Sequence, residues 1–129
     1  KHRTSEPIFS KEVNGLTIEV SDVTLTKDED DSKIIVNIPV TLTNESDHAF
    51  VFSVPHFNFN ETEYVFTLTA LDDGDVGGKI ARGKTKSDTI TVELDTRDKA
   101  EVKTVQPTFS IYDMKTEETT EFKPNIVVQ

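Results

Sequence analysis

Histidine, serine and glycine are the residue types whose spacing decides whether this sequence could support catalysis or cofactor binding. His48 and His56 flank one predicted strand, but the extended chain between them spans ~26 Å, too far for a shared metal ion. We expect both to be surface histidines, and the single methionine, Met114, argues against a soft-ligand copper site. No serine lies in a nucleophile-elbow pattern and cysteine is absent, so we predict no catalytic residues and no enzyme.

Glycine and asparagine motifs give no cofactor or glycan site either. The glycines fit neither dinucleotide nor P-loop spacing, and no helix follows them; they are Gly74, Gly77, Gly78 and Gly83. Sequons begin at Asn44 and Asn60, and we attribute both to chance. The sequence therefore predicts no cofactor and no cofactor-binding residues.

Calcium is the metal that the acidic side chains could hold. Residues 73–80 partly match an EF-hand loop, but its fifth place is Gly77 and its twelfth is Lys84, where a bidentate glutamate is required. Two acidic clusters remain: Asp28, Glu29, Asp30 and Asp31, and Asp72, Asp73 and Asp75. Alternating strand directions put these clusters at opposite ends of the domain, so they cannot share an ion. We predict no metal ligands and no calcium affinity tighter than about 10⁻⁴ M, and a weak calcium-binding stabiliser module is the alternative function.

Charge excludes other partners. The formal net charge is −10 and the pI is near 4.6, so the field of the chain repels nucleic acid and anionic membrane surfaces. No apolar run approaches the ~18 residues of a membrane span. We therefore expect no nucleic-acid partner and no direct membrane insertion by this domain.

The sequence is rich in strand-forming side chains and contains one long, regular strand pattern. It has 18 Thr, 14 Val and 9 Ile, which favour strands. Between Lys33 and Asn44, apolar residues occupy every second position, which predicts a strand with one buried face; they are Ile34, Val36, Ile38, Val40 and Leu42. Pro39 cannot donate to a ladder, so either this strand lies at a sheet edge or its pairing is interrupted at the proline.

Shorter alternations on both sides complete the fold prediction. The Asn14-Gly15 pair predicts a tight turn, and a change of phase near Ser21 and Asp22 predicts a bulge. Further strands are predicted where apolar residues alternate: Phe50 to Val54 (ended by Pro55), Tyr64 to Ala70, Thr89 to Leu94, Val105 to Tyr112 and Glu121 to Val128. The prediction is an all-β chain, an immunoglobulin-like antiparallel β-sandwich of seven to eight strands. It covers residues 8–129, after a disordered lead or tether remnant at residues 1–7.

One set of residues resembles a known family. The set consists of Val40, Thr41, Leu42, Thr43, Asn44, Glu45 and Ser46, then Phe66, Thr67, Leu68, Leu71, Asp72, Asp73 and Gly74, and finally Ile80, Gly83, Ile90 and Val92. It resembles immunoglobulin-like domains of unknown function found in extracellular proteins and lipoproteins of Gram-positive bacteria, over residues 15–128. That resemblance implies an extracellular or cell-surface location, with lipid anchoring through residues upstream of Lys1, and supplies no catalytic residues.

The expected function is therefore a non-catalytic extracytoplasmic interaction or adaptor domain with an unidentified protein or cell-envelope partner. Strand alternation gathers residues 28–31, 56–60 and 95–101 at one end of the sandwich, where loops often carry recognition. Phe57 and Phe59 would be exposed aromatic contacts there. The competing interpretation is that both rings are buried in an edge strand.

Overall fold

The structure, a computed structural model, describes residues 8–27, 33–59, 62–64, 78–94 and 103–127. The described residues form eleven strand segments: β1 (Phe9–Val13), β2 (Leu16–Val20), β3 (Thr24–Lys27), β4 (Ile34–Asn44), β5 (Phe50–Phe59), β6 (Thr62–Tyr64), β7 (Gly78–Ile80), β8 (Thr85–Leu94), β9 (Thr104–Asp113), β10 (Thr119–Phe122) and β11 (Ile126–Val127). Within these ranges no helix is long and apolar enough to cross a membrane.

The strands form two antiparallel sheets. In the first, β4 pairs on one side with β8 and on the other with β2 and β3, and β1 pairs with β2. In the second, β5 and β9 are the central pair, β10 and β11 border β9, and β6 and β7 border β5. This arrangement confirms the immunoglobulin-like antiparallel sandwich. The predicted count of seven to eight strands is too low for the described residues: two predicted strand regions each form two segments, β2 with β3 and β10 with β11, and β7 was not predicted.

Pro39 lies within a central strand, so the edge-strand alternative is wrong. β3 pairs with β4 from Ile34 to Asn37 and β2 pairs from Val40 to Asn44, so the proline falls in the gap between them. In an antiparallel ladder, the N–H and C=O of one residue point toward the same neighbouring strand. The carbonyl of Pro39 accepts a hydrogen bond of 3.0 Å from Ser21 N, so the N–H that proline lacks would also have pointed into that gap. The interrupted-pairing alternative is confirmed.

Two bulges adjust the register of the sheets. Residues 21–23, between β2 and β3, face only Ile38 and Pro39 of β4, so this side holds one extra residue where the sequence predicted a bulge. A second irregularity lies between Ser53 and His56, where two residues of β5 face one of β9. Pro55 sits in this second bulge and β5 continues beyond it, so the prediction that Pro55 ends the strand is wrong.

The core lies between the two sheets. The inward residues of β4 are buried as predicted, with Val36 and Ile38 at 0% exposure and Val40 at 1%. Ile90, Val92 and Leu94 of β8 and Phe109 and Ile111 of β9 are also buried. The rings of Phe52 and Phe109 lie 5.4 Å apart, a distance typical of favourable aromatic pairs.

Phe57 is part of this core, with 0% exposure. The hypothesis that it is an exposed contact is therefore wrong, because β5 continues through this segment and the bulge between Ser53 and His56 shifts the alternation so that the ring points inward. The side chain of Phe59 and the predicted lead, residues 1–7, lie outside the described residues. The strand ends that border the predicted loop cluster do meet at one end, since Lys27 and Leu94 both pair with Ile34.

Candidate functional site

Four connections meet at the opposite end of the sandwich, and we call them the turn cap: residues 14–15, 45–49, 81–84 and 114–118. Backbone hydrogen bonds join them, from Glu45 N to Gly15 O (2.9 Å) and from Met114 N to Ala49 O (3.1 Å). The predicted Asn14-Gly15 turn is confirmed, since Val13 pairs with Leu16 and both turn residues have positive φ. Ser46 packs closely against Gly15, where an added Cβ would lie 2.8 Å from the Ser46 Cβ.

Asn44 ends β4 and organises one half of the cap. Its side chain is inward, in phase with Leu42, and the residue is 1% exposed. The amide nitrogen donates to the carbonyls of His48 (2.8 Å) and Ile80 (3.1 Å), and Oδ1 accepts from Ser46 N (3.0 Å) and Ser46 Oγ (2.6 Å). These bonds satisfy the amide fully. The nitrogen that a glycan would need is buried and engaged, so the Asn44 sequon is structural.

Asp113 ends β9 and organises the other half. It is 2% exposed; Oδ1 accepts from the backbone N–H groups of Lys115 (2.8 Å) and Thr116 (3.1 Å), and Oδ2 accepts from Asn14 Nδ2 (2.9 Å). Burial raises the pKa of Asp113, but hydrogen bonds from Thr116, Asn14 and Lys115 and the contact with His48 outweigh it and lower the pKa to about 2. The carboxylate is therefore charged at neutral pH.

His48 lies between two carboxylates. Its Nδ1 is 2.7 Å from Asp47 Oδ1 and its Nε2 is 2.9 Å from Asp113 Oδ1, with only 17% of the side chain exposed. The second contact is an electrostatic one, because the N–H is poorly directed at the oxygen and Nε2 has no hydrogen-bond partner among the described residues. The prediction of a surface histidine is wrong for His48, and the side chain of His56 lies outside the described residues.

The carboxylates change the pKa of His48. The hydrogen bond with Asp47 raises this pKa above its usual 6.5; burial opposes the rise, and Asp113 adds to it. The pKa of Asp47 is lowered by His48 and by Lys115, whose Nζ is 3.3 Å from Asp47 Oδ2. Charge thus alternates through the cap, from Lys115 to Asp47, His48 and Asp113.

This geometry stabilises turns and does not resemble a catalytic or metal centre. Both ring nitrogens of His48 face carboxylates, so neither is placed to take a proton from a substrate. Ser46 Oγ bonds to Asn44 Oδ1 and the His48 carbonyl, and makes no bond to the imidazole ring. In the described ranges, no group of three or more His, Asp or Glu side chains could hold a metal ion.

The residues of the two acidic clusters predicted from sequence, Asp28, Glu29, Asp30 and Asp31, and Asp72, Asp73 and Asp75, lie outside the described residues. The limit on calcium affinity therefore stays a prediction. The turn cap itself was not recognised from sequence. The alternation of inward and outward positions could have indicated it. Asn44 continues the inward series of β4, and Asp113 continues the inward series of Phe109 and Ile111 on β9.

Beside the turn cap, the outer face of the second sheet carries a row of solvent-facing side chains. Val51 pairs with Lys79 on one side and Tyr112 on the other, and Tyr112 pairs with Thr119. Tyr112 is 37% exposed, and Met114, where the chain leaves β9, is 44% exposed. We call this row, together with Met114, the outer row.

Comparisons with known proteins give a fold but no family. No family model and no curated protein matches the chain. The chain is similar to a solved structure described as the crystal structure of a FixG-related protein from Vibrio parahaemolyticus, with 9% identity, a TM-score of 0.50, and coverage of 91% of this chain and 99% of that one. At this identity the similarity shows the fold alone, and it agrees with the β-sandwich.

Proposed function

We propose that this chain is a non-catalytic interaction or adaptor domain of an exported bacterial protein, and that its partner docks on the outer row. The observation that carries the proposal is the exposure of Tyr112, which pairs with Val51 in the second sheet, and of Met114, two residues further along the chain. Tyrosine and methionine are enriched at the centres of protein interfaces. Neighbouring strands hold such side chains in fixed positions, so little conformational entropy is lost on binding.

The non-catalytic part of the proposal rests on what the described polar side chains bond to. In the described part of the chain, the buried side chains of Asn44 and Asp113 and the partly buried side chain of His48 contact one another or the backbone of the turn cap. Their hydrogen-bonding capacity stabilises the turns, so it is not directed toward a substrate. A rigid scaffold with solvent-facing aromatic and thioether groups suits binding better than chemistry.

Export is supported by the resemblance of the sequence to immunoglobulin-like domains of extracellular proteins and lipoproteins. We propose a cell-surface location on that basis. Protease treatment of intact cells tests it: an exported domain is digested or released while a cytoplasmic marker stays intact, and protection of the domain in intact cells contradicts the location.

Site-specific photo-cross-linking in the source cells tests the docking face. A photoreactive phenylalanine analogue replaces Tyr112 in one variant and Thr91 in a matched control. Thr91 is exposed on β8 of the other sheet, so the control has the same chemistry on the opposite face. We expect a discrete cross-linked species from position 112 and none from position 91. Equal cross-linking at both positions, or none at 112, contradicts the proposal.

A further inference from the structure

A short segment beside the outer row has a charge opposite to that of the rest of the chain. Residues 79–86 hold four of the 14 basic residues and none of the 24 acidic ones, although the net charge of the chain is −10. The four are Lys79, Arg82, Lys84 and Lys86, in β7, the following turn and the start of β8. Outside this segment, ten basic residues stand against 24 acidic ones, so the segment is a local reversal of charge.

The fold concentrates these charges. Lys86 Nζ donates to the Lys79 carbonyl (3.1 Å), so the two ends of the segment are in contact. Lys79, Arg82 and Lys84 are exposed, and Lys86 is half-buried. We call these four residues the basic corner. It adjoins the outer row directly, because Lys79 belongs to both.

The basic corner is not neutralised within the described part of the chain. No described carboxylate lies within 4.0 Å of its four cationic groups, and the described salt bridges involve Lys33, His48 and Lys115 instead. Glu45 follows Asn44, whose backbone bonds to Gly83 and Lys84, but it makes no described salt bridge with the corner. More distant acidic residues are screened at physiological ionic strength, where the Debye length is about 8 Å. At short range, therefore, the corner attracts anions even though the whole chain is acidic.

The turn within the corner does not form a phosphate cradle. Such a cradle needs free backbone N–H groups that converge on an oxyanion. Gly83 N donates to Asn44 O (2.8 Å) and Lys84 N donates to Ala81 O (3.2 Å), so both of these amides are engaged inside the fold. Flexible lysines at the end of the outer row, across Val51 from Tyr112, are better suited to a protein surface that presents carboxylates next to apolar side chains.

We propose that the partner of this domain is a protein that presents an acidic segment, whose carboxylates contact the basic corner while apolar side chains next to them contact Tyr112 and Met114. This inference rests on the proposed function, since it names the chemistry of the partner for the same docking face. Charge complementarity of this kind fixes orientation and speeds association more than it adds affinity.

Binding of a labelled peptide tests the inference. The probe is a fluorescein-labelled decapeptide of glutamate with one phenylalanine at its centre, followed by fluorescence anisotropy at low and physiological salt. We expect saturable binding that weakens as salt rises. The double variant R82E/K84E should bind at least about tenfold more weakly, a loss equivalent to about 1.4 kcal/mol.

The matched control is K11E/K123E, which changes the net charge equally at exposed lysines outside the corner. It should bind within about twofold of the wild type, and circular dichroism should show that both variants are folded. Equal loss in the two variants overturns the inference, because binding would then follow net charge. Tighter binding of inorganic polyphosphate than of the peptide also overturns it. Failure here together with a specific cross-link at position 112 would reject the acidic partner and leave the docking face intact.

Discussion

The apolar layer between the sheets and the polar residues Asn44 and Asp113 beside the turn cap are both buried, but they are stabilised in opposite ways. The layer consists of apolar residues such as Ile38 and Phe109, whose burial is favourable next to many different neighbours. The cap depends on Asn44, Asp113 and His48, each of which needs particular atoms at hydrogen-bonding distance. The layer should therefore tolerate changes in the identity of its neighbours, whereas the cap requires particular polar partners.

Removing volume from the layer should cost most. Ile38→Ala should lower the free energy of unfolding by about 2–5 kcal/mol, because it loses buried surface and leaves a cavity at a position with 0% exposure. Ile35→Ala is the control, on the half-buried outer face of the same strand, and should cost about 1 kcal/mol. Urea denaturation measures both. Equal effects would mean that the inner and outer faces of β4 are not distinct.

Removing the organising carboxylate of the cap should cost nearly as much. Asp113→Ala should lower the free energy of unfolding by about 3 kcal/mol, because Asn14 and two backbone N–H groups lose a charged acceptor. Asp22→Ala removes an exposed carboxylate between β2 and β3 and should change it by less than about 0.5 kcal/mol. If the two variants had the same denaturation midpoint, the structural role of Asp113 would be contradicted.

A pair of glycine substitutions separates backbone strain from close packing in the cap. Gly15 and Gly83 both have positive φ (99° and 74°), but only Gly15 has a neighbour that an added Cβ would contact. Gly83→Ala should cost about 1 kcal/mol through the left-handed conformation alone, and Gly15→Ala about 2 kcal/mol or more. Thermal unfolding compares them. A larger effect at Gly83 would contradict the close approach of Ser46 to Gly15.

The pH dependence of stability should identify the cap directly. The raised pKa of His48 contributes stability that is complete below about pH 6.5 and is lost as the pH rises through the folded value. The lowered pKa of Asp113 contributes stability that is complete above about pH 3.8 and is lost as the pH falls toward about 2. From these two groups we expect greatest stability between these limits, measured as urea midpoints across a pH series.

Two variants show which group causes each decline in stability. His48→Gln should flatten the decline above pH 6.5, and Asp113→Asn should flatten the decline below pH 3.8. Each variant should also shift the other decline slightly, because the imidazole and the Asp113 carboxylate are 2.9 Å apart and each favours the charged form of the other. An alkaline limb that is identical with and without the imidazole would contradict the protonated state of His48 in the cap.

The sequence predicted the layer well because alternation is local information. The inward residues of β4 and β8 could be read from neighbouring positions, and so could the bulge near Ser21. The interruption at Pro39 was one of the two alternatives that the proline left open. The cap could not be predicted in this way, since its partners come together only through the fold; Asn14 and Asp113 are 99 positions apart. Phe57 is buried, as the competing interpretation expected, but β5 is a central strand and not an edge strand. The docking hypothesis failed there because it treated the segment as a loop and because the bulge before His56 was not predicted.

Pro39 also restricts how the chain can misfold. The odd-numbered residues of β4 direct their backbone groups toward β2 and β3, and Pro39 is the one among them without an N–H. If β2 or β3 slipped by two residues toward the gap, a carbonyl would face the proline ring and lose its donor. A two-residue slip would otherwise preserve which side chains point inward, so hydrophobic patterning alone does not oppose it. Pro39 therefore disfavours pairing in a register shifted by two residues. Burial of apolar side chains alone would not disfavour that register.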